Sequence, residues 1–299
     1  MTMVTRVHSP AVMGILNVTQ DSFWDGGKYS MPEQALLRAK AIQEEGADIL
    51  DIGAESTRPG SHPIDLAEER SRLIPVLEKI IPAISIPICV DTTKSAVAQE
   101  ALSMGAKIIN DTSALADPAM APIVAKAKAS IILMHRKGPS VSMQRRPTYR
   151  NCVMEIKQYL KDRIHLAQQA GIPKRRILVD PGIGFGKKLE HNLEILSKID
   201  TFCALGCPVV VGISRKSFLG LLLDAPVEQR LAGSLAAAIV AALRGAKVLR
   251  VHDVRETVHA LKVLEALDAL KLNRKMGTVL FLSDKLNTRG VKGTVPIFL

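Results

Sequence analysis

The chain has 299 residues, and its 40 lysines and arginines outnumber 29 acidic residues to give a formal net charge of +11. Apolar residues make up 47% and charged residues 23%, which is typical of a globular protein and excludes a disordered chain. Aromatic residues reach only 3%, so Ala, Ile, Leu and Val must fill the core.

The cysteine content and the apolar runs bear on the compartment. The four cysteines form no C-x-x-C pair, so we expect free thiols and neither a disulfide framework nor a zinc site. The longest apolar run, residues 231–243, is shorter than the roughly 18 residues of a membrane span. Residues 1–10 lack an apolar run like that of a signal peptide. We therefore expect a cytoplasmic protein without a membrane partner.

Short runs rich in Val, Ile and Leu alternate with helical patterns along the chain. The predicted strands are residues 12–16, 49–52, 86–90, 107–109, 130–134, 177–179, 208–211 and 248–251. These runs are continuously apolar, which is typical of strands buried on both faces. Between the second and third strands, the apolar residues from Leu66 to Ile81 form a single stripe, which predicts a helix packed on the sheet.

A Gly-Ala pair recurs before three predicted strands, at residues 46–47, 105–106 and 245–246, with a looser copy at Gly171. The glycine is expected to end a helix in the left-handed conformation. Eight strand–helix units over about 260 residues match the size of a (β/α)8 barrel. A doubly wound sheet would show the same alternation, but no Gly-x-Gly-x-x-Gly follows the first strand. We predict an α/β fold, a single-domain (β/α)8 TIM barrel over residues 11–272, with a lead-in at 1–10 and a tail at 273–299.

Polar or charged residues follow every predicted strand. In a barrel the carboxyl ends of the strands meet at one rim, where active sites lie. A single Asp after a strand is usually a helix N-cap, as we expect for Asp117 and Asp253. Eight strands with such residues indicate a ligand, because unpaired charges are costly to bury.

Two sets of side chains narrow the ligand at this rim. The first offers acceptors that match the amino-amidine edge of a heterocycle, and its members are Asp91, Asn110 and Asp180. The second offers an anion site, and its members are Arg58, Arg250 and His252. Asn17 with Asp21 and Asp25 suits Mg²⁺, although a solvated acidic loop explains them equally well. These sets favour a heterocycle that carries a phosphate or pyrophosphate.

Several runs, in this order, resemble the motifs of dihydropteroate synthase, the folate-pathway enzyme inhibited by sulfonamides. The two longest are residues 13–23, MGILNVTQDSF, and 51–60, DIGAESTRPG. Shorter matches lie at 90–92, 109–111, 133–135, 180–182, 184–187, 214–217 and 250–253. The resemblance implies a (β/α)8 transferase that joins (7,8-dihydropterin-6-yl)methyl diphosphate to p-aminobenzoate, giving 7,8-dihydropteroate and pyrophosphate.

The resemblance also implies roles for the matching residues. The pterin would contact Asp91, Asn110, Met134, Asp180, Phe185, Lys216 and Arg250, of which Asp91, Asp180, Lys216 and Arg250 would be catalytic. Pyrophosphate would contact Asn17, Arg58, Arg250 and His252, with Asn17 as a ligand of the Mg²⁺ cofactor. p-Aminobenzoate would lie among Phe23, Thr57, Pro59 and Ser214. The implied mechanism is SN1-like, with Mg²⁺ assisting pyrophosphate departure, and the implied assembly is a homodimer.

The chain departs from the family pattern at several positions. Gln20 replaces a common Pro, Trp24 replaces a small polar residue, Arg136-Lys137 replaces a less charged pair, and the tail after Asn273 has no counterpart. The first two leave open a catalytically inactive pterin-binding paralogue. A pterin-dependent methyltransferase is a second alternative, although it would have little use for the anion set. Nucleic-acid binding rests on net charge alone, and the basic residues are scattered among acidic ones, so we expect only small-molecule substrates.

Overall fold

The structure is a computed structural model that describes residues 9–18, 31–55 and 61–275, with side chains to residue 267. Its strands are β1 (Ala11–Asn17), β2 (Ile49–Gly53), β3 (Ile88–Asp91), β4 (Ile108–Asp111), β5 (Ser130–Met134), β6 (Ile177–Asp180), β7 (Val210–Gly212) and β8 (Val248–Val251). Its helices are α1 (Met31–Glu44), α2 (Leu66–Ile80), α3 (Ser95–Met104), α4 (Met120–Lys126), α5 (Cys152–Gln169), α6 (Leu189–Ser197), α7 (Ile199–Cys203), α8 (Ser217–Leu223), α9 (Leu231–Leu243) and α10 (Val254–Lys275).

These eight strands form one parallel sheet in the order β6-β5-β4-β3-β2-β1-β8-β7. The two end strands meet through a parallel bridge between Val179 and Val209, where the Val179 amide donates to the Pro208 carbonyl at 3.0 Å. The sheet is therefore a nearly closed barrel. This confirms the predicted (β/α)8 fold over the doubly wound alternative.

Six of the eight observed strands, all except β5 and β8, extend further toward the rim than the apolar runs predict. β3 includes Asp91 and β4 includes Asn110, and these two residues are paired in the parallel register. Backbone hydrogen bonds continue a ladder whatever the side chain is, so hydrophobicity alone ends each strand too early. β3 also begins at Ile88, after Pro87, which has no backbone N–H to donate.

The helix ends follow the glycine signature. Gly46, Gly105, Gly171 and Gly245 all have positive φ, between 94° and 124°, as predicted for residues that end a helix. The start of α2 is fixed by Asp65, whose carboxylate accepts the Glu68 amide at 2.8 Å. Each of Gly46, Gly105 and Gly245 thus ends a helix three residues before the next strand begins.

The core has two parts that support the rim. Inside the barrel, apolar side chains form a cluster to which every strand contributes, with Leu178 of β6 packed against the buried members: Ala11, Met13, Ile49, Cys89, Ile108, Ile132, Val210 and Val248. A larger cluster packs the helices on the outside. The four cysteines are free thiols, as predicted. Across the described ranges, no helix combines the length and apolar character needed to cross a membrane.

Candidate active site

The described members of the predicted site lie at or just beyond the carboxyl ends of the strands. Asn17, Asp91, Met134 and Asp180 are the last residues of their strands. Asn110 and Arg250 are the penultimate residues of theirs, and Ser214, Lys216 and His252 follow β7 and β8. The barrel therefore brings these side chains to one rim. Phe23, Thr57, Arg58 and Pro59, like Gln20, Asp21, Trp24 and Asp25, lie outside the described residues.

Arg250 joins two carboxylates across the barrel. Its Nε donates to Asp51 Oδ2 at 2.6 Å, and its Nη2 donates to Asp91 Oδ2 at 3.0 Å. Asp51 is fully buried and Asp91 is 6% exposed. The two carboxylates therefore offset much of the Arg250 charge, and the guanidinium attracts an anion at the rim less strongly than an unpaired one would.

Burial changes the ionisation of these groups. It raises the pKa of Asp91, and the Arg250 guanidinium partly opposes that rise. Burial also raises the pKa of the neighbouring Cys89 thiol, with Asp51 as the next cause. The thiol therefore stays protonated and is no nucleophile.

Asp180 and Asn110 present the other acceptors. Both side chains are 5% exposed. Asp180 Oδ1 accepts the Gly182 amide at 2.7 Å. Burial raises the pKa of the Asp180 carboxyl, while Lys216 is the largest opposing cause. A ligand that donates hydrogen bonds to this carboxylate would favour its charged form.

Lys216 and Phe185 meet beside Asp180. The Lys216 ammonium lies 4.5 Å from the centroid of the Phe185 ring and donates to the Ile183 carbonyl. Phe185 packs against Met134 in a small apolar cluster. One edge of the site is therefore apolar and aromatic, and the other carries acceptors, as a flat heterocycle with a polar edge requires.

The loop after β6 lies close to the end of β5. Gly182 has φ +68°, and a Cβ built on it would lie 1.9 Å from the His135 carbonyl oxygen. Gly186 has φ +65°, and its Cβ would lie 2.3 Å from the Lys137 carbonyl oxygen. Both positions therefore require glycine for conformation and for space.

Ser214 and His252 lie together at the ends of β7 and β8. The Ser214 Oγ lies 3.1 Å from His252 Nδ1 and accepts the His252 amide at 3.2 Å. The carboxylate of the adjacent Asp253, which was predicted to cap a helix, pairs with the Arg215 guanidinium at 2.8 Å. Arg215 also donates to the carbonyls of Val227 and Glu228. One predicted pyrophosphate residue, His252, and one predicted p-aminobenzoate residue, Ser214, are therefore in contact at this side of the rim.

Asp117 lies away from this pair and accepts amides near the starts of two helices, but it is not the predicted N-cap, because that position is Lys94 in α3 and Ala119 in α4. Its Oδ2 accepts the Ser95 amide at the start of α3, and its Oδ1 accepts the Ala119 amide.

The Arg136-Lys137 pair, which departs from the family pattern, contacts other side chains of the protein. The Lys137 ammonium lies 4.1 Å from the centroid of the Tyr149 ring, and Arg136 donates to Ser140 at 3.3 Å.

Sequence reasoning missed three buried residues of the rim. Asp51 pairs with Arg250, although 199 positions separate them. Lys187 and His135 contact each other at 3.0 Å between Nζ and Nδ1. All three lie in the quoted motifs. Asp51 stands inside an apolar stretch, His135 directly follows an apolar run, and Lys187 follows the glycines of the loop after β6. Only the closed barrel shows what they contact.

Known proteins provide an independent comparison. A family model described as "Pterin binding enzyme" matches residues 13–252. The dihydropteroate synthase of Escherichia coli K12 is 44% identical over 266 residues, which cover 89% of this chain and 94% of that protein. The Bacillus subtilis dihydropteroate synthase is 42% identical over 257 residues, covering 86% of this chain and 88% of that protein.

Solved structures agree with these relatives. Xanthomonas albilineans dihydropteroate synthase with 4-aminobenzoic acid has a TM-score of 0.84 and 45% identity, covering 88% of this chain and 94% of that one. The same enzyme in complex with 7,8-dihydropteroate has a TM-score of 0.80 and 43% identity, covering 88% and 95%. The chain therefore belongs to the pterin-binding enzyme family and, within it, to the dihydropteroate synthases, which are transferases of folate biosynthesis.

Proposed function

We propose that this rim joins (7,8-dihydropterin-6-yl)methyl diphosphate to p-aminobenzoate and releases 7,8-dihydropteroate and pyrophosphate. The observation that carries the proposal is the set of three buried acceptors, Asp91, Asn110 and Asp180, at the ends of β3, β4 and β6. Lys216 lies beside Asp180 and over the Phe185 ring. The acceptors suit the donor edge of a pterin, and the Phe185 ring suits its face.

The charges at this site fit an SN1-like displacement. The bond between the methylene carbon and the pyrophosphate oxygen breaks, and its electron pair leaves with pyrophosphate. Asp91 and Asp180 stabilise the positive charge that develops on the pterin. The amine of p-aminobenzoate then forms the new C–N bond and loses a proton. No activated nucleophile is needed, because the amine lone pair is already available.

The leaving group would lie near Asn17, Arg250 and His252. Asn17 is half-buried at the end of β1 and offers one amide oxygen. That is a suitable ligand for Mg²⁺, which usually takes few protein ligands and completes its shell with substrate phosphates and water. When bound, Mg²⁺ would stabilise negative charge on the departing pyrophosphate. Asn17 would hold the Mg²⁺, and Arg58 would be a further ligand of the phosphates.

The p-aminobenzoate site would adjoin the leaving group. Ser214 is buried and bonded to His252, so it is held at the boundary between the two substrates. Phe23, Thr57 and Pro59 would complete this pocket. The relative from Xanthomonas albilineans that was solved with 4-aminobenzoic acid supports this half of the proposal.

The direct test is a reaction with dihydropterin pyrophosphate, Mg²⁺ and radiolabelled p-aminobenzoate, in which labelled dihydropteroate is followed. We expect product that depends on Mg²⁺ and on the pterin substrate. A folded protein that binds a pterin but forms no product would instead be the inactive paralogue, and Gln20 and Trp24 would be the first residues to restore.

We expect activity to fall as the pH rises through about 8, because Lys216 then loses its charge. Burial lowers the pKa of Lys216 to about 8, with Asp180 opposing that shift. Below this value the ammonium balances Asp180, and above it the carboxylate loses that partner. A pH profile of kcat/KM for the pterin substrate measures the alkaline limb. In Lys216→Arg, whose side chain stays charged, the limb should move to higher pH. An unchanged limb would assign it to another group.

We also propose that the protein is a homodimer that pairs through α8, α9 and α10. Helix α9 packs against both of the others. These helices and the turn at Val227 expose large apolar side chains: Leu221 (72%), Leu222, Leu223, Val227, Val240, Leu243, Val263 and Leu267. Such a set on adjacent helices suits a second copy of the same surface, since homodimer interfaces are more apolar than ordinary protein surface.

Leu221→Glu should convert the dimer to a monomer, because it would place a carboxylate in the proposed interface. Sedimentation at micromolar concentration would give the mass of each form. Leu37→Glu, on α1 and also exposed at 55%, is the matched control and should leave the dimer intact. A wild-type monomer, or a Leu221→Glu dimer as stable as the wild type, would exclude this interface.

We further propose a cytoplasmic location. The four cysteines are free, and three of them are buried, so the fold uses no disulfide. Free thiols persist in a reducing compartment.

A further inference from the structure

Lys187 is a buried lysine with an unusual set of contacts. It is 2% exposed and lies at the end of the glycine-rich loop between β6 and α6. Its Nζ donates to the Phe185 carbonyl at 3.0 Å and to the His135 carbonyl at 3.4 Å, and it lies 3.0 Å from His135 Nδ1. Within the described parts of the chain, its ammonium forms no ion pair.

His135 is suited to receive the third of these hydrogen bonds. The imidazole is buried, and burial together with the adjacent Lys187 lowers its pKa to about 2. Burial also lowers the pKa of Lys187 to about 7. The imidazole is therefore neutral, and its Nδ1 can accept a hydrogen bond from the Lys187 Nζ. The T-shaped contact with Tyr159, at 5.0 Å between ring centroids, fixes the plane of the imidazole. Lys187 thus connects the end of β5 to the loop after β6 through three acceptors.

This loop depends on a few fixed contacts. Besides Lys187, Asn192 Oδ1 accepts the Gly184 amide at 2.7 Å, and Gln144 donates to the Gly184 carbonyl at 2.7 Å. The side chains of Asp180, Lys216 and Tyr149 also bind this loop, at Gly182, Ile183 and Gly186. Among all these side chains, only Lys187 binds the carbonyl of Phe185 itself. Misplacement of that peptide would move the Phe185 ring away from Lys216 and Met134.

We propose that Lys187 is a positioning residue for the pterin substrate: it holds residues 181–186 against the end of β5 and so places Phe185 and Asp180 at the pterin site. The inference rests on the proposed function of the rim as that site. Lys187 does not contact the substrate in this scheme. Its effect passes through the loop, so it should alter pterin binding and leave p-aminobenzoate binding almost unchanged.

The test compares Lys187→Met with Lys188→Met, which changes the adjacent exposed lysine. We expect Lys187→Met to raise the KM of the pterin substrate by about tenfold, the upper end of the usual cost of losing a hydrogen bond. The KM of p-aminobenzoate should stay within about twofold. Binding of 6-hydroxymethyl-7,8-dihydropterin, measured by calorimetry, should weaken in parallel. Lys188→Met should match the wild type in all three measurements.

A second variant covers the case in which Lys187→Met does not fold. His135→Phe keeps an aromatic ring against Tyr159 but has neither ring nitrogen, so Lys187 loses the Nδ1 acceptor and keeps its two carbonyl acceptors. It should therefore give a smaller rise in pterin KM with the same selectivity. Equal losses for both substrates, or a lower melting temperature with unchanged pterin affinity, would overturn the positioning role. A wild-type protein that does not bind the pterin alcohol would instead refute the proposed function of the rim, and the role of Lys187 with it.

Discussion

Asp180→Ala is expected to lower the affinity for the pterin substrate by roughly 100-fold, because hydrogen bonds to a charged group contribute about 1.5–3 kcal/mol each. The carboxylate is buried at the end of β6, with one oxygen on the Gly182 amide. Alanine removes both the acceptor for the pterin and the group that fixes the first turn of the glycine-rich loop. Calorimetry with 6-hydroxymethyl-7,8-dihydropterin measures the first effect directly.

The catalytic loss should exceed the binding loss. The Asp180 charge is proposed to stabilise the developing cation more strongly than the neutral substrate, so kcat should fall together with kcat/KM. Asp180→Asn separates charge from shape, because the amide oxygen can still accept from Gly182. We expect Asn to restore part of the pterin affinity and little of kcat.

The control is Asp162→Ala, which removes a carboxylate from the exposed face of α5, where it accepts from Gln158. It should leave kcat, both KM values and the melting temperature close to those of the wild type. Full activity in Asp180→Asn would contradict the electrostatic role. Unchanged pterin binding in Asp180→Ala would place the pterin elsewhere and would remove the main support for the proposed site.

The barrel was predictable because its signals are local. Buried parallel strands are continuously apolar, and a glycine ends the helix before several of them, so β5 and β8 were placed with the observed bounds. Strands such as β3 and β4 were misjudged at their ends, where Asp91 and Asn110 continue the ladder. A hydrophobic pattern gives no information about a backbone hydrogen bond that is made by a polar residue.

The site was predictable as a set of side chains and not as a network. Polar residues at successive strand ends indicated which groups share the rim. The ion pairs among these groups could not be predicted from the sequence. Asp51 and Arg250, for example, come into contact only because the barrel places β1 between β2 and β8. Lys187 carried a local signal, because it is a lysine that follows Gly186. Its contact with Nδ1 of His135, the residue directly after β5, could not be predicted, because the two residues are 52 positions apart. The roles of Arg58, Thr57 and Phe23 stay predictions from resemblance.

The second large effect is expected from the ion pairs of Arg250. Arg250→Met leaves the carboxylates of Asp51 and Asp91 without their shared cation inside the barrel. Loss of one partner of a buried pair typically costs about 3–5 kcal/mol of unfolding free energy. We expect a loss of about 3 kcal/mol, since Arg250 itself is partly exposed, and a fall in activity of two orders of magnitude or more. Urea unfolding at pH 7 measures the stability.

Asp51→Asn tests whether that loss comes from the pair. Alone, it should destabilise the protein less than Arg250→Met, because Arg250 keeps Asp91 as a partner. In the double variant, the two losses should not add, and a coupling of about 1–3 kcal/mol is expected for groups in direct contact. The matched control is Asp48→Asn, which changes another barrel-end carboxylate that accepts the Val12 amide. Its loss should add to that of Arg250→Met.

In the double variant, we expect the unfolding free energy to recover in part and the activity not to recover. Removing Asp51 relieves a buried charge that Arg250→Met leaves unpaired, so the double variant regains part of the unfolding free energy. It regains no activity, because the guanidinium proposed to contact both pterin and pyrophosphate is still absent. Additive losses would show that Asp51 and Arg250 act independently in solution. A double variant that recovered activity along with stability would show that Arg250 serves the fold and not the reaction, and the proposed pyrophosphate site would then depend on His252 and Arg58.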